Sequence, residues 1–296
     1  MTKTALSGQQ KATLLALVAV LCWSTIGSAF KLTLRHIDFM NILLYASFFS
    51  LVVFFAILAL RGRLSLLIQV TRKDILHSAL LGLLNPFLFY VTVLKAYDIL
   101  LAQEAVVLNY VWPITLTLLS IPMLKQKIGW KSILAILISF LGVIIIAVKG
   151  NFSSFHFTST DGVILALVCT VFWSLFFIFN MKDAREEVSK MFFNFLFGFA
   201  YTLAAVLIFS EIQLPSVKAI LGVTYIGLFE MGITFIIWLK ALKLSATTAK
   251  VANLIFISPF LSLIWVSIAV GEQIMGYTIA GLIFIVAGIV LQRLVR

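Results

Sequence analysis

Of the 11 acidic residues in the chain, Glu230 is the one that falls deep inside an apolar run. A carboxyl group in hydrocarbon is costly, so it is expected to face a protein interior or a wet cavity. There it either binds a substrate amine, carries a proton, or stays neutral and hydrogen-bonded to a neighbour. Asn85, Asn109 and Asn253 occupy other apolar runs; they suit the polar tips of a site for a zwitterion, or hydrogen bonds between helices. Trp23, Trp112 and Trp173 also lie well inside such runs, with Tyr90 and Tyr110 in the same stretches. Together they offer either an aromatic-walled chamber for a flat apolar group or an organic cation, or ordinary helix packing. Tyr110 and Trp112 are two residues apart, so an unbroken helix aims them at nearly opposite faces.

Pro86, Pro113 and Pro259 fall within apolar runs. Each removes a backbone donor and frees the carbonyl four residues earlier, at Gly82, Asn109 and Ile255. In hydrocarbon such carbonyls need partners, so the breaks belong against protein or a wet cavity. They are expected to be either hinges where helix ends bend or static kinks. Trp130, Trp238 and Trp265 lie near the ends of runs, where an interfacial belt explains them, and Lys95 and Lys240 are placed to snorkel. Gly142, Gly281 and Gly288 read as close helix packing.

Enzyme chemistry finds no support. His36, His77 and His156 have no metal-ligand spacing, and neither H-E-x-x-H nor a P-loop occurs. No Ser-His-Asp arrangement can be built at membrane depth, so no catalytic residue, metal or cofactor is expected. A Gly-rich filter or acidic ring of a selective channel is also lacking. Cys22 and Cys169 fall in apolar runs and read as small packing residues. The net charge of +11 comes from residues scattered among short connections, not from a patch that would hold nucleic acid.

These residues must be positioned by membrane-spanning helices. With 62% hydrophobic and 11% charged residues and a mean hydropathy of +1.15, the chain cannot assemble a water-facing globular surface. Ten spans are expected, near 12–30, 39–60, 75–94, 101–122, 132–148, 162–181, 190–209, 219–239, 246–268 and 277–292, each able to cross a ~30 Å hydrocarbon core. The first is too long for a signal-peptide core and shows no cleavage site, so it is expected to remain. With the N-terminus in the cytoplasm, only Lys31, Arg35, Lys95, Lys149 and Lys218 of the 22 basic residues fall outside. That contrast predicts ten spans with both termini inside.

The spans repeat. Leu15–Val18 followed by Trp23-Ser24 returns 150 residues later as Leu165–Val168 followed by Trp173-Ser174. The helix pair from Gly82 to Pro113 returns from Gly227 to Pro259, with Leu-Lys-Ala ending its first member both times. Pro113 matches Pro259, and Ala135 and Gly142 match Gly281 and Gly288, at an offset of 146. Each unit holds five spans, and an odd number inverts the second copy. The expected fold is therefore all-α and integral to the membrane: ten transmembrane helices as two inverted five-helix repeats, 1–149 and 150–296. The substrate site is expected between them, near the midplane.

In this plan the chain resembles the drug/metabolite transporter superfamily, in particular its EamA-type repeats. The resemblance rests on Trp-Ser in the first helix of each copy, on Pro113 and Pro259, on Gly271-Glu272, and on the Gly281 and Gly288 spacing. Lys125-Gln126-Lys127 stands where the second copy has Gly271-Glu272-Gln273, which makes Glu272 a poor candidate for an ion site. QKATLLALVAVLCWST and Asn109-Tyr110-Val111-Trp112-Pro113 are most similar to bacterial aromatic amino-acid exporters. The resemblance implies an alternating-access exporter of small organic metabolites in the bacterial cytoplasmic membrane, with aromatic amino acids as the leading substrate. Export of other amino acids or of drugs and organic cations is the alternative; a membrane-embedded lipid-modifying enzyme or scaffold is a further one. Its partners would be the bilayer and a small-molecule substrate, with monomer or homodimer left open.

Overall fold

The computed structural model describes residues 7–124, 129–151, 159–245 and 253–295; Lys125, Gln126 and Lys127 and the start of the expected 246–268 span lie outside these. Seven helices are long and apolar enough to cross a membrane: α1 (Gly8–Leu34), α2 (Phe39–Leu60), α3 (Arg72–Ile99), α4 (Ala102–Met123), α6 (Thr160–Met181), α7 (Glu187–Phe209) and α8 (Val217–Leu244). Three shorter apolar helices fall on the remaining expected spans: α5 (Trp130–Ala147), α9 (Leu254–Val270) and α10 (Gly276–Val295). No strand occurs among the described residues.

Helix starts follow local capping chemistry. Ser7 and Gln10 form a capping box on α1, and Thr71 and Asp74 form one on α3. Asp38 accepts from the Met40 and Asn41 N–H groups of α2, while Ser159, Glu186 and Ser216 cap α6, α7 and α8. Leu101, preceding α4, has no capping side chain of its own.

The helices pack in a reciprocal pattern. α1 lies mainly against α8 and α9, and α6 mainly against α3 and α4; α2 pairs with α7, and α5 with α10. The α5–α10 contact depends on glycine. A β-carbon at Gly142 would lie 2.5 Å from the Gly281 carbonyl oxygen, and one at Gly288 would lie 2.5 Å from that of Ala135. The Ser139 hydroxyl donates to the Ile285 carbonyl across the same seam at 3.0 Å. Lipid offers apolar surface everywhere, so close approach of small residues supplies the association here.

Polar corners fasten both ends. At one end Arg185 holds Asp183 (2.6 Å) and the Ser78 hydroxyl (2.8 Å), and Glu186 faces Arg63 at 3.6 Å. This ties the α6–α7 corner to α2 and α3. Burial raises the Asp183 carboxyl, but the hydrogen bonds and charge of Arg185 outweigh it and hold the group below its ordinary value of 3.8. Its contribution to stability is therefore complete above that value and is lost only as the pH falls below it. At the other end, the Asn41 amide donates to the Glu211 carbonyl (2.9 Å) and Tyr45 to that of Gln213 (2.7 Å).

Substituting leucine at Gly281, where a β-carbon already meets Ile146 and the Gly142 carbonyl, should cost about 1–3 kcal/mol by forcing α5 and α10 apart. Ile283→Ala, a change at a residue 53% exposed on the same helix, should stay within about 0.5 kcal/mol. Reversible unfolding in micelles measures both.

Candidate functional site

Among the described residues, four of the helices that enclose the middle of the bundle are interrupted. α3 passes through a π-helical segment, Leu83–Leu88, in which Asn85 has non-helical φ −149 and ψ 121 beside Pro86. α8 has its own π-helical segment, Ile226–Glu230, and resumes as a helix at Ile233 beyond Gly232. α4 turns at Tyr110 and Val111, so that Trp112 and Pro113 start a new helical stretch. α9 begins as a 3-10 turn, Asn253–Ile257, with Pro259 in the first turn of the following helix. π-bulges and prolines of this kind rearrange the backbone hydrogen-bond ladder and re-aim the side chains they carry.

Glu230 ends the α8 π segment, and its carboxyl group accepts a hydrogen bond from the fully buried Tyr90 hydroxyl of α3 at 3.2 Å. From Tyr90 a run of ring contacts crosses the bundle. Tyr90 meets Phe89 (4.7 Å between centroids), Phe89 meets Trp173 of α6 (5.1 Å), and Trp173 meets Trp112 of α4 (6.5 Å). Trp173 also meets Phe235 of α8 (5.7 Å), which meets Trp23 of α1 (5.6 Å), which in turn meets Trp238 (5.4 Å). The tryptophans at 23, 112 and 173 thus belong to one connected aromatic array. The Ser174 hydroxyl, next to Trp173, donates to the Trp112 carbonyl at 3.3 Å and fixes α6 against the α4 break.

Other expected site residues lie around this array with different partners. Tyr110 and Trp112 do face apart: Trp112 lies against Trp173, whereas the Tyr110 hydroxyl lies beside Ser258 and Ser262 of α9. Asn109 accepts from the Cys169 thiol at 3.4 Å, an interhelical contact between α4 and α6. Asn85 is fully buried, as is Asn194 of α7, and among the described residues neither amide has a hydrogen-bond partner. The Asn253 side chain lies outside the described residues. Two surface grooves, of about 430 and 380 Å³, are lined by Phe39, Phe87 and Phe209 and by Leu32, Leu221 and Tyr225 respectively; neither includes a tryptophan.

The Trp238 ring, near the end of its span, packs on that of Trp23. Trp130, at 70% exposed, does stand at the surface. Phe89 and Phe235 were not singled out among 27 phenylalanines, and only the contacts distinguish them. The Tyr225 hydroxyl lies 2.7 Å from that of Thr25 and ties α1 to α8, a pairing that nothing local in the sequence marks.

Residues 10–148 and 160–293 match the EamA-like transporter family. The chain belongs to that family. It is therefore a multi-pass membrane protein of a transporter family. An uncharacterized transporter of Clostridium kluyveri is 29% identical over 238 residues, covering 76% of this chain and 74% of that one. An uncharacterized transporter in the sor 3′ region of Acidianus ambivalens is 28% identical over 188 residues, covering 61% and 70%. One solved protein structure superposes with a TM-score of 0.67 at 21% identity, covering 96% of both chains; a likeness at that identity speaks to the fold alone.

If the Tyr90–Glu230 bond links α3 to α8 energetically, Tyr90→Phe and Glu230→Gln should be non-additive. A double-mutant cycle in unfolding free energy should give a coupling of about 1 kcal/mol. Strict additivity would mean the two groups do not interact.

Proposed function

We propose that the protein is a secondary transporter that exports small organic metabolites, aromatic amino acids foremost, across the bacterial cytoplasmic membrane. Its two halves, 1–149 and 150–296, are inverted with respect to each other, both termini are cytoplasmic, and the site opens alternately to either side. The observation that carries this reading is the aromatic array beside the Tyr90–Glu230 pair: a flat apolar face and a carboxyl group at helix breaks from opposite halves. An aromatic ring sliding between Trp173, Trp112 and Phe235 exchanges protein stacking for substrate stacking. The substrate's ammonium group then takes Glu230, and the unpartnered Asn85 amide is available to its carboxylate.

The reciprocal packing supports the inverted arrangement, since α1 against α8 and α9 mirrors α6 against α3 and α4. The interruptions at Asn85–Pro86 and Glu230–Gly232 occupy comparable places in α3 and α8. Breaks at matching depth allow each half to bend at one end while the other end stays shut.

Flux of labelled phenylalanine or tryptophan in proteoliposomes tests the reading. It should saturate, and both Trp112→Ala and Trp173→Ala should lower it about tenfold or more, as expected for loss of one stacking platform. Wild-type flux in both variants would remove the aromatic site. An imposed pH gradient should accelerate wild-type flux and leave Glu230→Gln unresponsive; no response in either would exclude proton coupling through Glu230.

A further inference from the structure

One end of the bundle carries a set of hydrogen bonds between the two halves that the transport site does not require. The Glu272 carboxylate accepts from the backbone N–H groups of Ala102 (2.8 Å) and Gln103 (3.2 Å), the first two of α4. It thus supplies, from 170 residues away, the cap that Leu101 does not. The Gln103 side chain answers in kind: its NH₂ donates to the Gln273 carbonyl (3.0 Å), and its oxygen accepts from the Met275 N–H (2.9 Å) and the Thr278 hydroxyl (2.9 Å). Glu104 accepts from the Tyr277 hydroxyl at 3.1 Å. Gly271, in the left-handed region at φ +81, makes the turn that aims Glu272 at α4.

We infer that Glu272 and Gln103 form a clasp that shuts the site at the end assigned to the outside, and that the clasp must part whenever substrate leaves. This rests on the alternating-access reading above. The polar corners described earlier serve the scaffold; the clasp ties the start of α4 to the connection between α9 and α10. A carboxylate at a helix N-terminus is held by charge-assisted hydrogen bonds and the helix dipole. These bonds bias the resting protein toward the state closed outside, as an exporter awaiting cargo requires.

Cys169 is a native reporter of this state. It is fully buried and bonded to Asn109, six residues or about 9 Å along α4 from Gln103. In a Cys22→Ser background it is the sole thiol, so its labelling by a membrane-impermeant maleimide measures opening without any substrate. In right-side-out vesicles Glu272→Ala should speed labelling about tenfold or more over the parent, as losing the cap of α4 predicts. Glu272→Gln, which keeps one acceptor, should fall between them. In inside-out vesicles the rate should not rise. Equal labelling in all three proteins would overturn the clasp, and so would a rise from both faces or from the inner face only. Failure of phenylalanine flux would overturn the substrate reading and leave this result standing.

Discussion

In hydrocarbon no water is available to a stranded backbone N–H or C=O, so every break in a spanning helix must find its partners within the protein. This chain breaks its helices repeatedly, and the satisfaction of those breaks organises the fold. Where α3 ends, Lys31 of α1 donates to the carbonyls of Tyr97 (2.7 Å) and Leu100 (2.6 Å). Where α4 begins, Glu272 accepts the first two N–H groups. Where α4 turns, Ser174 donates to the Trp112 carbonyl. Each partner comes from an element distant in sequence, so these bonds tie separate helices together.

The same constraint locates function. Unbroken apolar helices against lipid have little to rearrange, and α5 and α10, locked together through glycine, form such a static pair. The interrupted helices α3, α4, α8 and α9 instead surround α1 and α6, which carry Trp23 and Trp173. The aromatic rings and the Glu230 carboxyl group lie where the backbone is already irregular. A substrate entering there would meet side chains that make stacking contacts with one another, and it could replace those contacts without exposing polar backbone.

Much of this was legible in the sequence because composition and periodicity act locally. The apolar runs marked the helices, Pro86 and Pro113 marked the breaks, and the spacing of Tyr110 and Trp112 announced opposite faces. What stayed hidden depends on distance. Glu272 looked unsuited to a site because the first copy has no acid there, and nothing near it in sequence reveals that it caps a helix 170 residues earlier. The contact between Trp238 and Trp23, 215 residues apart, likewise leaves no local mark. Phe89 and Phe235 could not be told from the many phenylalanines facing lipid, since burial among helices leaves no mark on a side chain that is apolar in either setting.

All of this presumes two halves that enter the bilayer in opposite senses. Single cysteines at four exposed positions, Lys73, Lys149, Lys182 and Lys218, placed in a chain lacking Cys22 and Cys169, test it most directly by side-specific labelling of intact cells. Lys149→Cys and Lys218→Cys should react with an impermeant reagent from outside, and Lys73→Cys and Lys182→Cys only after the membrane is opened. If positions 73 and 149 react from the same side, an even number of crossings lies between them and the inverted arrangement is wrong.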